Sequence, residues 1–460
     1  MTASPGAPER ARERDDSVIE RATIRKLSLR LLPFLFSLYV FNFLDRSNVA
    51  IAGLQMNRDL RFSASAFGLG AGIFFLGYAL FEVPSNLLLV RVGPRRWIAR
   101  IMISWGLIAS AMMFVRTPVH FYVLRFLLGV AEAGFFPGIV YYLSQWFPAA
   151  HRARASSRFM IAIPLSGVVG GVFGGWLLGL NGHMGLAGWQ WLFLLEGIPS
   201  VLLGFAVLAW LTDRPEKAEW LGAEQREWLA AQLRRDHNES RGVHGIPPLR
   251  ALAQPMVWLL AIPYFLMLTA GYGYTFWSPT VIRDALHTSD SSTALITALI
   301  ACFSAVAMLI VGASSDKTGE RCLHAAGSAA LIAIGYLGAA LFTSPLARVV
   351  ALGLVLVGAN SFLAPFWCLP TMLLSGSAAA IGIALVNSIG NTGGFVGPYV
   401  IGILKDATGG TSGAFLVLAA VSLACAVLCV LLRQQPVFAA HSRSRKTVPG
   451  LAAAVVSKPA

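Results

Sequence analysis

Charge is the scarcest commodity in this 460-residue sequence. Only 13% of the residues are Asp, Glu, Lys or Arg, against about a quarter in an ordinary soluble protein. Hydrophobic residues make up 56% and mean hydropathy is +0.66. Water does not tolerate that much exposed apolar surface, so a set of soluble domains is excluded and lipid is the natural solvent. Cysteine is sparse as well: five residues, an odd number, with neither a disulfide framework nor zinc-ligand spacing. Cys425 and Cys429 recur at i, i+4 and read as small apolar contact residues. The eight histidines include no HExxH pair. No nucleophile–base pair or metal motif appears, so neither an enzyme nor a cofactor or metal site is expected. The first 30 residues mix Arg with Asp and Glu and have no apolar core, which excludes a cleaved signal peptide.

What the chain does have is long apolar runs. A bilayer-spanning helix needs about 20 mostly apolar residues, and twelve such runs are present: 31–54, 67–90, 97–115, 121–147, 159–180, 189–211, 256–282, 294–313, 323–342, 349–374, 378–404 and 414–432. The expected fold class is therefore an all-α membrane protein with twelve transmembrane helices. Glycine clusters such as 167–175 would break a helix in water; in lipid, small residues let helices approach closely.

The net charge of +14 raises nucleic acid as a partner, and its distribution argues against it. With a cytoplasmic N-terminus, 28 of the 36 Lys and Arg residues fall in cytoplasmic segments and six outside, with Arg46 and Arg125 left inside spans. That bias is topogenic and places both termini in the cytoplasm. The expected layout is a tail at 1–30, a bundle at 31–211, a middle loop at 212–255, a second bundle at 256–432 and a tail at 433–460. Within the middle loop, 215–236 reads as a short amphipathic surface helix, with Trp220, Glu224 and Trp228 at i, i+4, i+8.

An internal repeat supports two bundles of six. After span two the chain reads Asn86-Leu-Leu-Leu-Val-Arg-Val-Gly-Pro-Arg-Arg96; after span eight it reads Gly312-Ala-Ser-Ser-Asp-Lys-Thr-Gly-Glu-Arg321. Aligned on Gly93 and Gly319, Arg91 matches Lys317 and Arg95 matches Arg321. Each glycine permits a tight turn, and the basic residues suit helix C-termini. Matching loops at matching places point to two pseudo-symmetric six-helix bundles.

These loops resemble the signature loop of the major facilitator superfamily, G-x-x-x-D-R/K-x-G-x-R/K. The second copy matches at Gly312, Asp316, Lys317, Gly319 and Arg321. The first departs, with Asn86 for the leading Gly and Val90 for the Asp, so the ion pair that Asp normally makes is absent or replaced there. Longer segments are similar to the anion:cation symporter family, which includes bacterial permeases for tartrate, phthalate and hexonates: Phe41-Asn-Phe-Leu-Asp-Arg-Ser-Asn48, Phe81-Glu-Val-Pro-Ser-Asn86, Arg125-Phe-Leu-Leu-Gly-Val-Ala-Glu-Ala-Gly134 and Asn387-Ser-Ile-Gly-Asn391. The resemblance covers about 31–432. It implies a bacterial inner-membrane transporter that carries an organic anion with H⁺, less often Na⁺.

Ionisable groups at the bilayer centre cost about 2.5–3.5 kcal/mol each on insertion scales, so those present face a cavity and tend to be functional. Six are found, all in the first half: Asp45, Arg46, Glu82, Arg125, Glu132 and Glu196. Arg125 and Glu132 are two turns apart and share a face with Gly129 between them. Asp45 and Arg46 diverge by about 100°. Asp45 is expected to pair with Arg125 or a neighbouring polar group, and Arg46 to face the cavity. Arg46 offers paired donors to a carboxylate and stays charged when desolvated. The resemblance adds substrate roles for Arg125, Tyr78, Trp367, Asn387 and Asn391, and proton sites at Asp45 and Glu132. Glu82 and Glu196, each close before a proline, read as structural anchors on backbone or helix ends. Relatives that carry hexonates have a polar contact in mid-span five; here 160–167 is largely apolar, and Phe43 stands where some relatives place Tyr, so an anion less hydroxylated than a hexonate is expected, a dicarboxylate such as tartrate or an aromatic or hydroxy acid. The expected function is proton-coupled import of a small organic anion. The rival readings are an exporter of the same fold and a facilitator-like sensor.

Overall fold

Lipid offers the backbone no hydrogen-bond partner, so every pass must satisfy its own N–H and C=O groups as a helix. The computed structural model describes residues 7–160, 162–240, 254–373 and 376–435, and it is helical throughout, with no strand among the described residues. The middle-loop stretch 241–253 and the tail from 436 lie outside the described residues. Ten helical stretches are long and apolar enough to cross a membrane. Two further passes, the fifth and the eleventh, fall at 149–178 and 376–408, the eleventh with a turn at Thr392.

The first bundle comprises α1 (Ala7–Asp59), α2 (Ala64–Val92), α3 (Pro94–Ala111), a fourth pass split into α4 (Pro118–Glu132) and α5 (Phe135–Trp146), a fifth whose described stretches are α6 (Ala149–Met160) and α7 (Ala162–Leu178), and α8 (Gly188–Trp210). A surface helix, α9 (Ala223–Ser240), follows. The second bundle comprises α10 (Pro255–Leu286), α11 (Asp290–Thr318), α12 (Cys322–Leu341), α13 (Pro345–Leu373), an eleventh pass split into α14 (Gly376–Asn391) and α15 (Gly393–Thr408), and α16 (Ser412–Leu432). Leu295, Leu299, Phe303, Val306, Leu309 and Ile310 are all exposed along α11. Such an apolar stripe is an error in water and the expected lipid face in a membrane.

Two spans read as continuous are interrupted: the fourth breaks at Ala133–Gly134, where Gly134 has φ +85°, and the eleventh turns at Thr392. The first helix also begins far before residue 31. Its early turns pack on the middle loop rather than trailing as a tail: the Arg30 guanidinium lies 4.7 Å from the Trp210 ring and 4.8 Å from the Trp220 ring, and Glu20 contacts His151 of α6 at 2.7 Å. Apolar residues at Leu27, Leu31, Leu35 and Leu38 keep one helical face buried across that junction. The amphipathic surface helix is present as α9, with Trp220 just before it stacked on Trp146 at 5.5 Å.

At the face opposite the start of α1 the two bundles are sealed together. A Cβ on Gly72 of α2 would come within 2.7 Å of the Phe395 carbonyl of α15, and one on Gly171 of α7 within 2.7 Å of the Ala294 carbonyl of α11. Only glycine permits backbones to meet so closely. Charged links reinforce the seal: Arg58 pairs with Asp290, Arg283 donates to the Leu54 carbonyl at 2.7 Å, and the Asp406 carboxylate accepts the Ala64 and Ser65 N–H groups at 3.0 and 2.7 Å. That carboxylate caps the N-terminus of α2, where the helix dipole favours negative charge.

Candidate functional site

The break in the fourth pass builds the site. Glu132 is the last residue of α4, and its carboxylate sits beside a helix C-terminus, a poor place for negative charge unless a cation compensates. Arg46 of α1 supplies it: Nε donates to Glu132 Oε1 at 2.9 Å, and Nη2 contacts the same oxygen. Ser85 of α2 donates to the Ala133 carbonyl that the break orphans, at 2.6 Å, and itself accepts from Trp97 Nε1 at 3.0 Å. The Phe81–Asn86 motif thus serves α4 as well as its own helix.

Arg46 is held among rings. Its guanidinium carbon lies 5.0 Å from the centroid of Tyr78, 5.3 Å from Phe74 and 5.8 Å from Phe43. Nη1 reaches the Tyr272 hydroxyl of α10 at 3.4 Å, so this arginine touches the opposite bundle. Arg46, Glu132 and Tyr78 are therefore together, and Tyr272 is a partner that sequence reasoning missed. The signal for it is the alternation Gly271-Tyr-Gly-Tyr274 in a largely apolar span.

Arg125 and Asp45 do not meet; of the two expected partners for Asp45, the structure gives neighbouring polar groups and not Arg125. Arg125 is buried against α2, donating to the Gly70 and Ala71 carbonyls at 3.3 and 3.1 Å, with its guanidinium 4.9 Å from the Phe74 ring. Gly129 on the same face lets α4 press directly on the Phe74 backbone. Asp45 turns into the interior of the first bundle, where its Oδ2 accepts from Trp105 Nε1 and Ser200 Oγ, both at 2.7 Å. Its Oδ1 is buried without a hydrogen-bond partner. A 100° step along α1 separates the two neighbours, one facing the bundle interface and one a closed polar pocket. Glu196 is buried one turn before Ser200 on α8. Arg46 with Glu132, Arg125, and Asp45 thus occupy three separate environments and do not face one common cavity.

In the second bundle, Trp367 packs edge-on against Tyr264 at 5.0 Å. Asn387 donates to Glu82 across the interface at 3.0 Å, and Asn391 donates to the Asn387 carbonyl at 2.9 Å.

Residues 35–398 match the sequence pattern of the Major Facilitator Superfamily. The chain belongs to that superfamily. It is 47% identical over 435 residues, covering 94% of this chain and 96% of the relative, to a protein of Agrobacterium vitis provisionally named a tartrate transporter. It is 41% identical, over 88% of this chain and 93% of the relative, to a quinolone resistance transporter of Acinetobacter baumannii. Its fold matches the crystal structure of a bacterial homologue of the human lysosomal transporter Spinster, with TM-score 0.69 and 19% identity over 91% of this chain and 98% of that one. A membrane transporter and not an enzyme is the consequence.

The two facilitator signature loops are then open to comparison. Gly93 and Gly319 both take positive φ, +97° and +71°, and Arg91 and Lys317 occupy the last turns of α2 and α11. In the second copy Arg321 pairs with Asp316 at 2.7 Å and donates to Ser315 Oγ at 2.9 Å. In the first copy, which has Val90 for the Asp, the carboxylate comes from the end of the sixth pass: Asp213 Oδ1 accepts the Arg95 N–H at 2.9 Å, while Arg95 Nε donates to the Leu208 carbonyl at 2.8 Å. Asp213 therefore caps the backbone at the start of α3, and the Arg95 guanidinium is held by a carbonyl where Arg321 is held by a carboxylate.

Proposed function

We propose that the protein imports a small organic anion across the bacterial inner membrane by proton symport, with both termini in the cytoplasm. The observation that carries the reading is the Arg46–Glu132 pair at the contact with Tyr272 of the other bundle. A guanidinium wrapped on one carboxylate is the group a substrate carboxylate would seek. The two acids compete for it. Protonating Glu132 removes its claim on Arg46 and frees the guanidinium for the anion; losing the anion lets Glu132 release its proton and take Arg46 back. Proton and anion thereby travel together without any group linking them covalently. Asp45 is the second proton site, placed where Trp105 and Ser200 hold one oxygen and leave the other unengaged. A charge entering against a negative-inside potential opposes about 2.3 kcal/mol per 100 mV, which one proton cancels for a monoanion and two cancel for a dianion.

The tartrate-transporter name of a relative 47% identical favours a hydroxylated or dicarboxylic acid as cargo. The Lys and Arg bias between the two sets of loops supports the orientation. Arg125, pinned to the α2 backbone, acts as a positioning residue for the Phe74 and Tyr78 face. Trp367, Asn387 and Asn391 contribute from the second bundle. The quinolone-resistance name of another relative supports a second reading, export of an aromatic acid, by the same site run in the opposite direction.

Uptake of radiolabelled organic acids into proteoliposomes tests the assignment. Arg46→Ala is expected to abolish uptake, a loss of at least about a hundredfold for a truncated charge partner, while the protein still inserts and elutes as the wild type does. Uptake at the wild-type rate would remove Arg46 from the site. Efflux from preloaded vesicles that exceeds influx under the same gradient would favour export.

A further inference from the structure

Glu82 is a buried carboxylate to which the proton cycle gives no task. Its sequence context makes it an anchor for backbone or a helix end, but the structure sends it across the interface to side chains of the other bundle. It is 3% exposed on α2. Its Oε1 accepts from Asn387 Nδ2 at 3.0 Å and its Oε2 accepts from Ser388 Oγ at 2.5 Å, both on α14. Glu82 also stands one helical turn from Tyr78, on the same face of α2. The Tyr78 ring lies 5.0 Å from the Arg46 guanidinium. One face of α2 therefore runs from Phe74 through Tyr78 to Glu82, with Arg46 at one end and the Glu82–Asn387–Ser388 cluster at the other.

The two ends are chemically opposite. A guanidinium only donates hydrogen bonds, and an ionised carboxylate only accepts them. A ligand lying along this face needs acceptor oxygens toward Arg46 and a hydrogen-bond donor toward Glu82. The Asn387 amide beside it has a second N–H to give, so the best-matched group both donates and accepts, as a hydroxyl does. A second ionised carboxylate in that position would meet Glu82 charge to charge. Asn387 and Ser388 hold both oxygens, so the carboxylate cannot simply turn aside.

Resting on the anion-transport reading, we infer that Glu82 is a specificity residue that makes this end of the site select hydroxylated acids over their deoxy counterparts. Its role is to accept the substrate hydroxyl's proton in a hydrogen bond and to hold Asn387 in position to donate to the same oxygen.

The test is a set of acid pairs differing only in hydroxyl groups: lactate and propionate, malate and succinate, tartrate and succinate, mandelate and phenylacetate. Proteoliposome uptake is measured for the wild type, Glu82→Gln and Ser388→Ala. In the wild type, the hydroxylated member of a transported pair is expected to lead by about tenfold or more in kcat/KM, since a site built to hydrogen-bond a hydroxyl rejects the analogue that lacks it. Glu82→Gln should cut that preference to about threefold or less while uptake of the deoxy member persists. Ser388→Ala, which leaves the charge and frees one oxygen, should give an intermediate preference, and it carries the test if Glu82→Gln fails to fold. Indifference of the wild type to the hydroxyl, or an equal loss of both members in both variants, overturns the inference alone. Failure of the wild type to take up any acid of the panel overturns the anion-transport reading and the inference with it.

Discussion

At the residue scale, the membrane makes each polar side chain answer for its own burial, and the answers here are unequal. Arg46 is satisfied by a carboxylate that another ligand can displace. Arg125 is satisfied by backbone carbonyls that no ligand can displace. The same residue type is thus poised in one case and fixed in the other. Gly134 shows the same specificity in backbone terms. Its φ of +85° lies where an L-residue is strained, and a Cβ there would collide with the Ser85 hydroxyl that serves the break. Gly182 has φ +88° but nothing within 4 Å of its Cβ position. Gly134→Ala should therefore lower stability by more than the about 1–2 kcal/mol that conformation alone costs, and Gly182→Ala by no more than that. Thermal unfolding of the two variants in detergent reads the difference directly; equal shifts would mean the Ser85 contact is immaterial.

The sequence made these residues visible but not their partners. The cost of burying charge was enough to single out Asp45, Arg46, Arg125 and Glu132. It carried no information on pairing, because Arg46 and Glu132 lie 86 positions apart and meet only through the arrangement of α1 and α4. For Asp45 the sequence left Arg125 and an unnamed neighbouring polar group as alternatives, because charge is what a sequence displays and a polar partner cannot be named from it. Its actual donors, an indole and a hydroxyl, look like ordinary packing residues in the chain. Tyr272 and the Asp213 that caps the start of α3 were hidden for the same reason.

At the element scale, hydropathy gave the number and approximate limits of the passes but none of the interruptions. A run of apolar residues reads identically whether its helix is straight or broken at Ala133–Gly134, since one glycine among 45 carries no mark of its φ. The start of α6 illustrates how elements complete one another. Its preceding residue is Pro148, which has no side-chain acceptor to cap the first N–H groups. Asp236 of the middle-loop helix fills the role, accepting the Ala149 N–H at 2.7 Å. The loop helix is therefore a cap for the fifth pass as well as a connector. Asp236→Ala should cost about 1 kcal/mol, the usual worth of an N-cap. Amide hydrogen exchange at 149–152 is the appropriate measurement, with faster exchange expected there and little change along α3. Unaltered exchange at the start of α6 would show the cap to be dispensable.

At the scale of the whole molecule, the two bundles meet through two kinds of contact. Opposite the start of α1 they are sealed by glycine-mediated backbone approach and by the Arg58–Asp290, Arg283–Leu54 and Asp406–α2 links. Nearer the middle they meet through polar side chains, Arg46 with Tyr272 and Glu82 with Asn387 and Ser388. The second set is made of groups that a ligand can replace one for one, and the first is not. In the proposed cycle, ligand and proton act where the interface is exchangeable, and rocking of one bundle on the other moves the seal. The proposed transport cycle thus turns on a single competition, between Glu132 and the substrate, for Arg46.

Net uptake driven by an imposed pH gradient, compared between wild type and Glu132→Gln in proteoliposomes, tests that competition most directly. Glutamine leaves Arg46 permanently free of a carboxylate, so anion exchange between the two sides should persist while acceleration by an inward proton gradient falls from several-fold to none. Uptake by Glu132→Gln that still accelerates with the proton gradient as the wild type does, or that follows a sodium gradient in both proteins, would contradict the account.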